Sequence, residues 1–318
     1  MWGDVFRPVG DRKFDQKKAS PVANRLSPPR RGLRWTFVKA RISPPPFVMA
    51  ASRSTTDPQL NRGLAPQRLR FRPAKAIITL PAYNEEEALP ELLERIGEAF
   101  ADSGMPYEII VVDDGSTDAT ASIVEAMSFQ MPLHLVRNGR NLGLGKTLRR
   151  GLREAIERGG ERDIIITMDA DNTHPPGLIA RMVRLIHEGC DVVIASRFQI
   201  GSRVVGVPKE RHVLSFGARL LFTLLYPTRG VRDYTSGYRA YRMSIIRRGF
   251  ERYEDDLIAE TGFSCMADLL LKLRRQGAFF GEAPLRLRYD QKGGESKMMV
   301  MKTIGLTLRL LVRHRLVR

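Results

Sequence analysis

The sequence predicts an α/β fold with a mostly parallel central sheet flanked by helices. From residue 75 onward, short apolar runs alternate with segments of helical period, and acidic residues directly follow two of the runs. Strands that alternate with helices in this way typically pair in parallel. With 318 residues, 43% of them hydrophobic, the chain is long and apolar enough to bury a full core.

Five of the apolar runs are short and rich in Ile and Val, which is typical of buried strands. They cover residues 76–80, 108–112, 133–136, 164–168 and 192–195. After the first run, apolar residues recur at the spacing of one helix face, which predicts a helix packed on the sheet. That face consists of Leu89, Leu92, Leu93, Ile96 and Phe100. Further helices are predicted over residues 118–128, 146–158 and 176–188.

Charge and proline are unevenly distributed and predict three regions. Residues 1–75 hold 17 Lys/Arg against 4 Asp/Glu, which is +13 of the total charge of +17, and ten of the 19 prolines precede residue 76. We therefore expect a basic, Pro/Arg-rich disordered arm over 1–74, a near-neutral globular domain over 75–297 and a basic amphipathic helix over 298–318. This distribution argues against a fold that binds polyanions throughout, and the arm is the candidate region for nucleic-acid binding.

Neither cysteine usage nor hydropathy indicates a secreted or membrane-spanning chain. Cys190 and Cys265 cannot build a disulfide framework and lack the spacing of a zinc site. No run reaches the roughly 18 apolar residues of a membrane span. Residues 208–226 form a strongly apolar helix with a basic start, which fits either a bilayer surface or the core. The segment 298–318 is similarly apolar with basic flanks, and basic residues near an anionic membrane contribute about 1 kcal/mol each, which favours a membrane surface for such helices.

The acidic residues lie where a ligand site is expected. Asp113 and Asp114 follow the second run, and Asp169 and Asp171 follow the fourth. In an open parallel sheet, ligands bind beyond the carboxyl ends of the strands. An acidic loop that only caps the next helix is the simpler interpretation of one such pair. Two acidic strand ends without basic neighbours would concentrate negative charge, so a divalent cation with a diphosphate-bearing nucleotide is favoured.

The segment Gly145-Lys146-Thr147 superficially resembles a phosphate-binding P-loop. That motif requires a glycine five positions before Gly145, where this chain has Arg140. The dinucleotide-binding fingerprint also fails, because Leu148 occupies the position of its third glycine. A P-loop nucleoside triphosphatase is therefore only a distant alternative, and these glycines either form a turn or let a loop approach a ligand.

Six short motifs, taken in order, resemble those of family 2 glycosyltransferases of the dolichol-phosphate mannose synthase type. They are residues 81–85 (PAYNE), 111–118 (VVDDGSTD), 141–145 (NLGLG), 169–176 (DADNTHPP), 235–239 (TSGYR) and 294–297 (GESK). The resemblance covers about residues 75–300 and implies a GT-A-like nucleotide-sugar-binding fold. One such motif is weak evidence, whereas six in the same order are highly specific.

The resemblance implies a role for each matching residue. Those that match nucleotide-sugar contacts are Pro81, Tyr83, Glu85, Asp113 and Asp169. Asp169 and Asp171 match the ligands of Mg²⁺ or Mn²⁺, and Asp171 and Arg197 match catalytic positions. Those that match acceptor or phosphate contacts are Arg211, Ser236, Arg239 and Lys297. Two positions depart from the family pattern, with Thr173 in place of a common Gln and Gln291 in place of an Arg.

The implied activity is metal-dependent, inverting transfer of a hexose to dolichyl or polyprenyl phosphate, with mannose from GDP-mannose as the expected donor. A UDP-glucose-using polyprenyl-phosphate glucosyltransferase is the alternative within the family. The resemblance also implies a peripheral location on the cytoplasmic face of a membrane. This membrane would be the endoplasmic reticulum in a eukaryote or the plasma membrane in a bacterium. Some relatives are held there by small membrane-protein subunits, and no nucleic-acid partner is expected.

Overall fold

The computed structural model describes residues 74–207, 209–260, 262, 264–289, 305, 309–310 and 313–314, with the backbone alone over 209–214. The predicted arm, apart from Ala74, and most of the predicted C-terminal helix lie outside these residues. The side chain of Arg211 and the whole of Lys297 lie outside them as well. The domain boundaries at residues 74 and 297 therefore stay predictions.

Within the described residues the chain alternates between strands and helices. The strands are β1 (Ala76–Ala82), β2 (Tyr107–Asp113), β3 (Leu133–Arg137), β4 (Ile164–Thr167), β5 (Val192–Ser196), β6 (Arg203–Val205), β7 (Arg239–Arg242), β8 (Phe280–Pro284) and β9 (Arg286–Arg288). The helices are α1 (Leu89–Ser103), α2 (Thr120–Met127), α3 (Leu144–Arg158), α4 (Leu178–His187), α5 (Lys209–Leu225), α6 (Met243–Tyr253) and α7 (Cys265–Arg275), with a 3₁₀ helix at Glu254–Ile258.

Seven strands form one sheet in the order β3-β2-β1-β4-β7-β5-β8. Every neighbouring pair in it is parallel except the two pairs that involve β7, which runs antiparallel between β4 and β5. Strands β6 and β9 pair separately. The mostly parallel sheet predicted from the sequence is confirmed, and its five predicted strands are β1 to β5.

The sheet is buried on both faces by helices. Alternate residues of β1 point to opposite sides, so that Ile78 and Leu80 join one apolar cluster while Ile77 joins the other. Helices α1 and α4 cover the first face, and α3, α6 and α7 cover the second. The predicted apolar face of α1 is buried throughout. Fully burying a side chain such as Ile or Leu contributes about 1.5–3 kcal/mol, so each buried residue of this three-layer core stabilises the domain.

The strand directions collect several loops at one edge of the sheet. β1, β2, β4 and β5 are mutually parallel in this sheet, so their carboxyl ends lie on the same side. Because β7 is antiparallel and pairs Arg239 with Thr167 at the end of β4, the loop before β7 reaches the same edge. This edge therefore carries the loops after β1, β2, β4 and β5 and the loop that leads into β7.

Ile78→Ala is expected to lower the free energy of unfolding by about 2–5 kcal/mol, because Ile78 is completely buried at the centre of the sheet and its truncation leaves a cavity. Urea denaturation followed by circular dichroism measures this change. Phe129→Ala is the control, since the Phe129 side chain is 91% exposed and its loss should alter stability by about 0.5 kcal/mol or less. Equal losses in the two variants would contradict the assigned core.

Candidate active site at the carboxyl edge of the sheet

The loop after β4 presents two aspartates two residues apart. The Asp169 side chain is 41% exposed, and its Oδ2 lies 3.9 Å from His174 Nε2. The backbone amide of Asp169 donates to His174 Nδ1 at 3.3 Å. An Nδ1 that accepts this bond leaves the imidazole proton on Nε2, facing the Asp169 carboxylate. His174 therefore holds the loop after β4 in a turn.

Asp171 is oriented by the residue that departs from the family pattern. Its Oδ1 accepts hydrogen bonds from Thr173 Oγ1 at 2.7 Å and from the Thr173 amide at 3.3 Å. Between the two aspartates and Thr173, Asn172 adopts a left-handed conformation with φ 57°. Its side-chain oxygen accepts from Arg95 Nη1 at 2.6 Å, which ties the turn to α1. Thr173 therefore holds the Asp171 carboxylate in place.

The loops after β1 and β2 bond to each other and form one wall of the edge. Asp113, paired in register with the last residue of β1, is buried, and its Oδ1 accepts from the Ser116 amide at 3.0 Å. Ser116 Oγ in turn accepts from the Asn84 amide, and Asn84 Oδ1 accepts from the Thr117 amide. The predicted nucleotide-sugar residues of the two strands are thereby brought together: Pro81, Tyr83, Glu85 and Asp113.

A close approach of two backbones requires the glycine in this wall. Gly115 has φ +74°, and a Cβ at that position would lie 2.5 Å from the backbone carbonyl carbon of Arg140. Any other residue would be strained there and would push the loop after β3 away. The glycine of the Asp-Asp-Gly motif is therefore required by packing.

Asp114 binds a different loop from its neighbour Asp113. Its carboxylate accepts hydrogen bonds from the amides of Leu142 and Gly143, each at 2.9 Å, and from Asn138 Nδ2 at 2.8 Å. These are loop amides of the kind that a P-loop directs at a phosphate. Since a carboxylate occupies them, the P-loop interpretation is wrong, and the glycine-rich segment makes the turn into α3.

Arg197, at the end of β5, is bound to a buried carboxylate that the sequence analysis did not identify. Its Nε and Nη2 donate to the two oxygens of Asp233 at 2.8 and 2.7 Å, and its amide donates to Oδ2 at 3.1 Å. Burial would lower the pKa of Arg197, but the charges of Asp233 and, to a smaller extent, Asp169 raise it. Burial would raise the pKa of Asp233, and Arg197 more than reverses this, so that the pKa of Asp233 is lowered.

Asp233 also organises the loop that leads into β7. Its Oδ1 accepts from the amides of Thr235 and Ser236 at 3.2 and 3.1 Å. The next residue, Gly237, lies against the site, because a Cβ there would be 3.1 Å from Asp169 Oδ1. An aspartate that accepts from amides two and three residues later is a common turn device, and this signal was available in the segment Asp-Tyr-Thr-Ser.

Arg239 requires a correction. We predicted a phosphate contact, but its side chain is completely buried, and its guanidinium donates to the backbone oxygens of Ser236, Met266 and Tyr234 at 2.8–2.9 Å. With these bonds it joins the loop before β7 to the start of α7, so it supports the site from within the protein. Ser236, predicted to bind phosphate, is buried in the same loop.

Tyr238 is a core aromatic residue that links two loops of the edge. It is fully buried, stacks on His174 with ring centroids 5.0 Å apart, and donates to the backbone oxygen of Pro175 at 3.0 Å. It therefore holds the loop after β4 against the loop before β7.

The described residues contain no group of three His, Cys, Asp or Glu side chains arranged to bind a metal ion. Two carboxylates, Asp169 and Asp171, stand at the edge instead. This donor set fits Mg²⁺ or a similar oxygen-preferring ion, which typically takes one or two carboxylates and completes its shell with water and substrate phosphate oxygens. The residues present are thus compatible with an ion that arrives together with a diphosphate.

These features define a class. A mostly parallel sheet whose carboxyl edge carries an Asp-x-Asp turn is the architecture of GT-A glycosyltransferases. Residues 77–250 match the model of glycosyl transferase family 2. The chain therefore belongs to this family and is a glycosyltransferase, which confirms the family resemblance, the fold class and the enzyme class expected from the sequence.

The curated relatives share most of the globular part. The chain is 34% identical over 199 residues to the dolichol-phosphate mannosyltransferase of Pyrococcus furiosus, covering 62% of this chain but only 53% of that protein. It is 31% identical over 225 residues to the undecaprenyl-phosphate mannosyltransferase of Micrococcus luteus, covering 70% of this chain and 87% of that protein. It thus spans about half the length of the Pyrococcus relative and most of the Micrococcus one.

Among solved structures, the fold is similar to that of glucosyl-3-phosphoglycerate synthase from Mycobacterium tuberculosis, crystallised with Mn²⁺, uridine diphosphate and phosphoglyceric acid. The TM-score is 0.55 at 23% identity, over 77% of this chain and 78% of the other. At that identity the likeness establishes the fold alone.

Asp233→Asn is expected to lower the free energy of unfolding by about 3–5 kcal/mol at pH 7, because it leaves Arg197 beside a buried, uncharged partner. The lowered pKa of Asp233 stabilises the fold above the usual Asp pKa of about 3.9. Below that pH the unfolded state binds a proton that folded Asp233 does not, so this stability is lost progressively. Urea denaturation from pH 7 to pH 3 should show the two proteins converging.

The control for this prediction is Asp255→Asn. Asp255 forms an ion pair with Arg153 at 2.7 Å, but its side chain is 66% exposed, so the change should cost about 1 kcal/mol or less. A wild-type protein and an Asp233→Asn variant that differ by the same amount at every pH would contradict the assigned ion pair.

Proposed function

We propose that this protein transfers mannose from GDP-mannose to the phosphate of a dolichyl or other polyprenyl lipid, with inversion at the anomeric carbon. The observation that carries the proposal is the similarity to polyprenyl-phosphate mannosyltransferases, at 30% identity or more over 62–70% of this chain. The Asp-x-Asp turn and the adjoining loops support it, since they lie at the carboxyl edge of the sheet, where open α/β sheets typically bind their ligands.

The chemistry of a phosphate acceptor fits a site that offers carboxylates for a metal ion at the carboxyl edge of the sheet. A phosphate monoester has a second pKa near about 6 and is mostly ionised at neutral pH, so it needs no strong general base to attack a sugar. The greater demand is stabilising the nucleotide diphosphate as it leaves. Asp169 and Asp171 would hold a bound Mg²⁺ or Mn²⁺, which supplies neutralisation of the diphosphate charge.

Two anionic substrates must also be brought close together, and arginine suits this task because it stays charged and binds phosphate through two N–H groups. Arg197 lies beside the Asp-x-Asp turn, close enough for the Asp169 charge to raise its pKa. Asp233, Thr235 and Ser215 accept hydrogen bonds from four of the five N–H groups of the Arg197 side chain. Arg197 would therefore contact a phosphate through Nη1 and keep a fixed position. Arg211 and Lys297 stay predicted phosphate contacts.

The assay that tests the proposal offers the purified protein GDP-mannose or UDP-glucose, labelled in the sugar, with polyprenyl phosphate and Mg²⁺ or Mn²⁺. We expect mannosyl-phosphoryl lipid from GDP-mannose, with activity lost on chelation. Asp171→Ala should lower the transfer rate at least about 100-fold, since metal-bound charge stabilisation is worth several kcal/mol.

Asp102→Ala is the matched control, because Asp102 is an exposed carboxylate at the end of α1, and its loss should leave transfer unchanged. Faster transfer from UDP-glucose than from GDP-mannose would establish the glucosyltransferase alternative. Full metal-dependent transfer by Asp171→Ala would refute the assigned site.

A lipid substrate implies contact with a membrane, and helix α5 offers a surface for it. None of the described helices is both long enough and apolar enough to span a bilayer. On α5, however, Phe216, Leu220 and Leu224 are 56%, 62% and 76% exposed and recur every four residues. We call these three residues the apolar face of α5. Phe222, on the other side, is completely buried in the core, so both earlier interpretations of this helix apply, one to each side.

The apolar face of α5 is proposed to lie on the bilayer surface, with exposed Arg229 just beyond the helix favouring anionic lipids. Leu220→Asp combined with Leu224→Asp should weaken binding to phosphatidylglycerol vesicles at least about tenfold, because two apolar side chains are lost and two negative charges are added next to an anionic surface. Vesicle cosedimentation measures this, and Phe129→Asp, at another exposed apolar residue, is the control. Unchanged binding of the double variant would exclude this face. Binding at the cytoplasmic face of the membrane and association with a small membrane-protein subunit are proposals that rest on the family resemblance alone.

A further inference from the structure

One arginine of α5 is held by two aromatic rings. The guanidinium carbon of Arg219 lies 4.9 Å from the ring centroid of Phe198 and 6.0 Å from that of Phe216. The same Phe198 ring lies 5.7 Å from the guanidinium carbon of Arg197. Phe198 directly follows Arg197, so this ring places Arg219 next to the active-site edge.

Arg219 stands at the border between two surfaces of α5. Four residues before it, one helical turn away, Ser215 Oγ accepts a hydrogen bond from Arg197 Nη1 at 3.4 Å. One residue after Arg219 is Leu220, which belongs to the exposed apolar face. At 100° per residue, Arg219 lies 40° from Ser215 and 60° from Phe216 around the helix. The side that contacts the active site and the side proposed to lie on the bilayer therefore meet at Arg219.

The charge of Arg219 is also less compensated than that of its neighbour. Arg197 binds both oxygens of Asp233. Among the described residues, by contrast, no carboxylate oxygen lies within 4.0 Å of the Arg219 guanidinium, which lies over the rings of Phe198 and Phe216. An aromatic face attracts a guanidinium without removing its charge, and it leaves the N–H groups at the guanidinium edge able to donate. Such a guanidinium can therefore bind an anion through two parallel N–H···O hydrogen bonds, that is, in a bidentate way.

We propose that Arg219 binds the phosphate of the lipid acceptor where the lipid chain passes from the apolar face of α5 to the active site. The inference rests on the proposed transfer to polyprenyl phosphate and assigns a residue to its acceptor side. Phe198 and Phe216 are positioning residues in this arrangement, because they orient the guanidinium. The ligand chemistry is a phosphate monoester on an apolar chain, which carries between one and two negative charges at neutral pH.

The test compares wild type, Arg219→Gln and Arg219→Lys in steady-state transfer to a short, water-soluble prenyl phosphate, so that vesicle binding plays no part. Arg219→Gln should raise the KM for the acceptor about 10- to 100-fold, as expected for losing hydrogen bonds to a charged group, while the KM for the sugar nucleotide stays within about twofold. The acceptor KM of Arg219→Lys should lie between those of wild type and Arg219→Gln, because lysine keeps the charge and loses the planar pair of donors.

Arg252→Gln is the matched control, because Arg252 on α6 is an exposed arginine whose guanidinium carbon likewise lies over an aromatic ring, 5.3 Å from the Tyr253 centroid. Its loss should leave both KM values unchanged. An acceptor KM that is unchanged in Arg219→Gln, or raised equally by Arg252→Gln, would overturn the proposal. Weaker binding of Arg219→Gln to phosphatidylglycerol vesicles with an unchanged acceptor KM would also overturn it, because Arg219 would then bind lipid headgroups in general.

A binding measurement separates this proposal from the function on which it rests. Calorimetric titration with the prenyl phosphate alone needs no donor, so a wild-type protein that binds the acceptor but transfers no sugar would refute the proposed function and still test Arg219 by its affinity. A wild-type protein that binds no prenyl phosphate would overturn both. If thermal unfolding shows that Arg219→Gln does not fold, the affinity of Arg219→Lys for prenyl phosphate tests the proposal instead. An affinity equal to that of wild type would contradict the bidentate contact.

Discussion

The ion pair between buried Asp233 and half-buried Arg197 is the interaction on which the architecture of the site depends. It connects the end of β5 with the loop before β7, and the same carboxylate accepts from two amides of that loop. Glu282 on β8 supports it from behind, because its carboxylate accepts from the amides of Arg232 and Asp233. An arginine needed near a cluster of carboxylates is thereby held in one position, at the cost of desolvating both charges.

The two adjacent aspartates of the second motif also have different hydrogen-bond partners. Asp113 accepts from the Ser116 amide in the loop after β2, whereas Asp114 accepts from backbone amides of the glycine-rich turn. Consecutive residues at a strand end point in different directions, so neighbouring carboxylates can serve different purposes. Of the two acidic strand ends, the pair after β4, where one residue intervenes, is the candidate for an ion, and Thr173 orients its Asp171 carboxylate.

Helix α5 connects this edge with the surface of the protein. Its inner side packs in the core through Phe222, which stacks on Tyr234 in the loop before β7. Its outer side exposes apolar residues, and Arg219 lies between the two. A lipid substrate has an apolar chain and a charged head, and a helix with this distribution offers a matching surface for each part. The proposed membrane contact and the proposed acceptor contact are therefore consequences of one helix orientation.

The sequence by itself determined the layered α/β fold, β1 to β5 and the main helices between them, because buried parallel strands and amphipathic helices each leave a local periodicity in the chain. Motif order also identified the family and located the acidic loops. Only the tertiary structure decided that β7 enters the sheet antiparallel between β4 and β5 and that Arg239 bonds to backbone oxygens inside the protein. It likewise decided that Asp233 pairs with Arg197 and that Arg219 lies between two rings. These are contacts between residues distant in the chain or questions of burial, and a charged side chain carries the same local signal whether it meets solvent, a carbonyl or a phosphate.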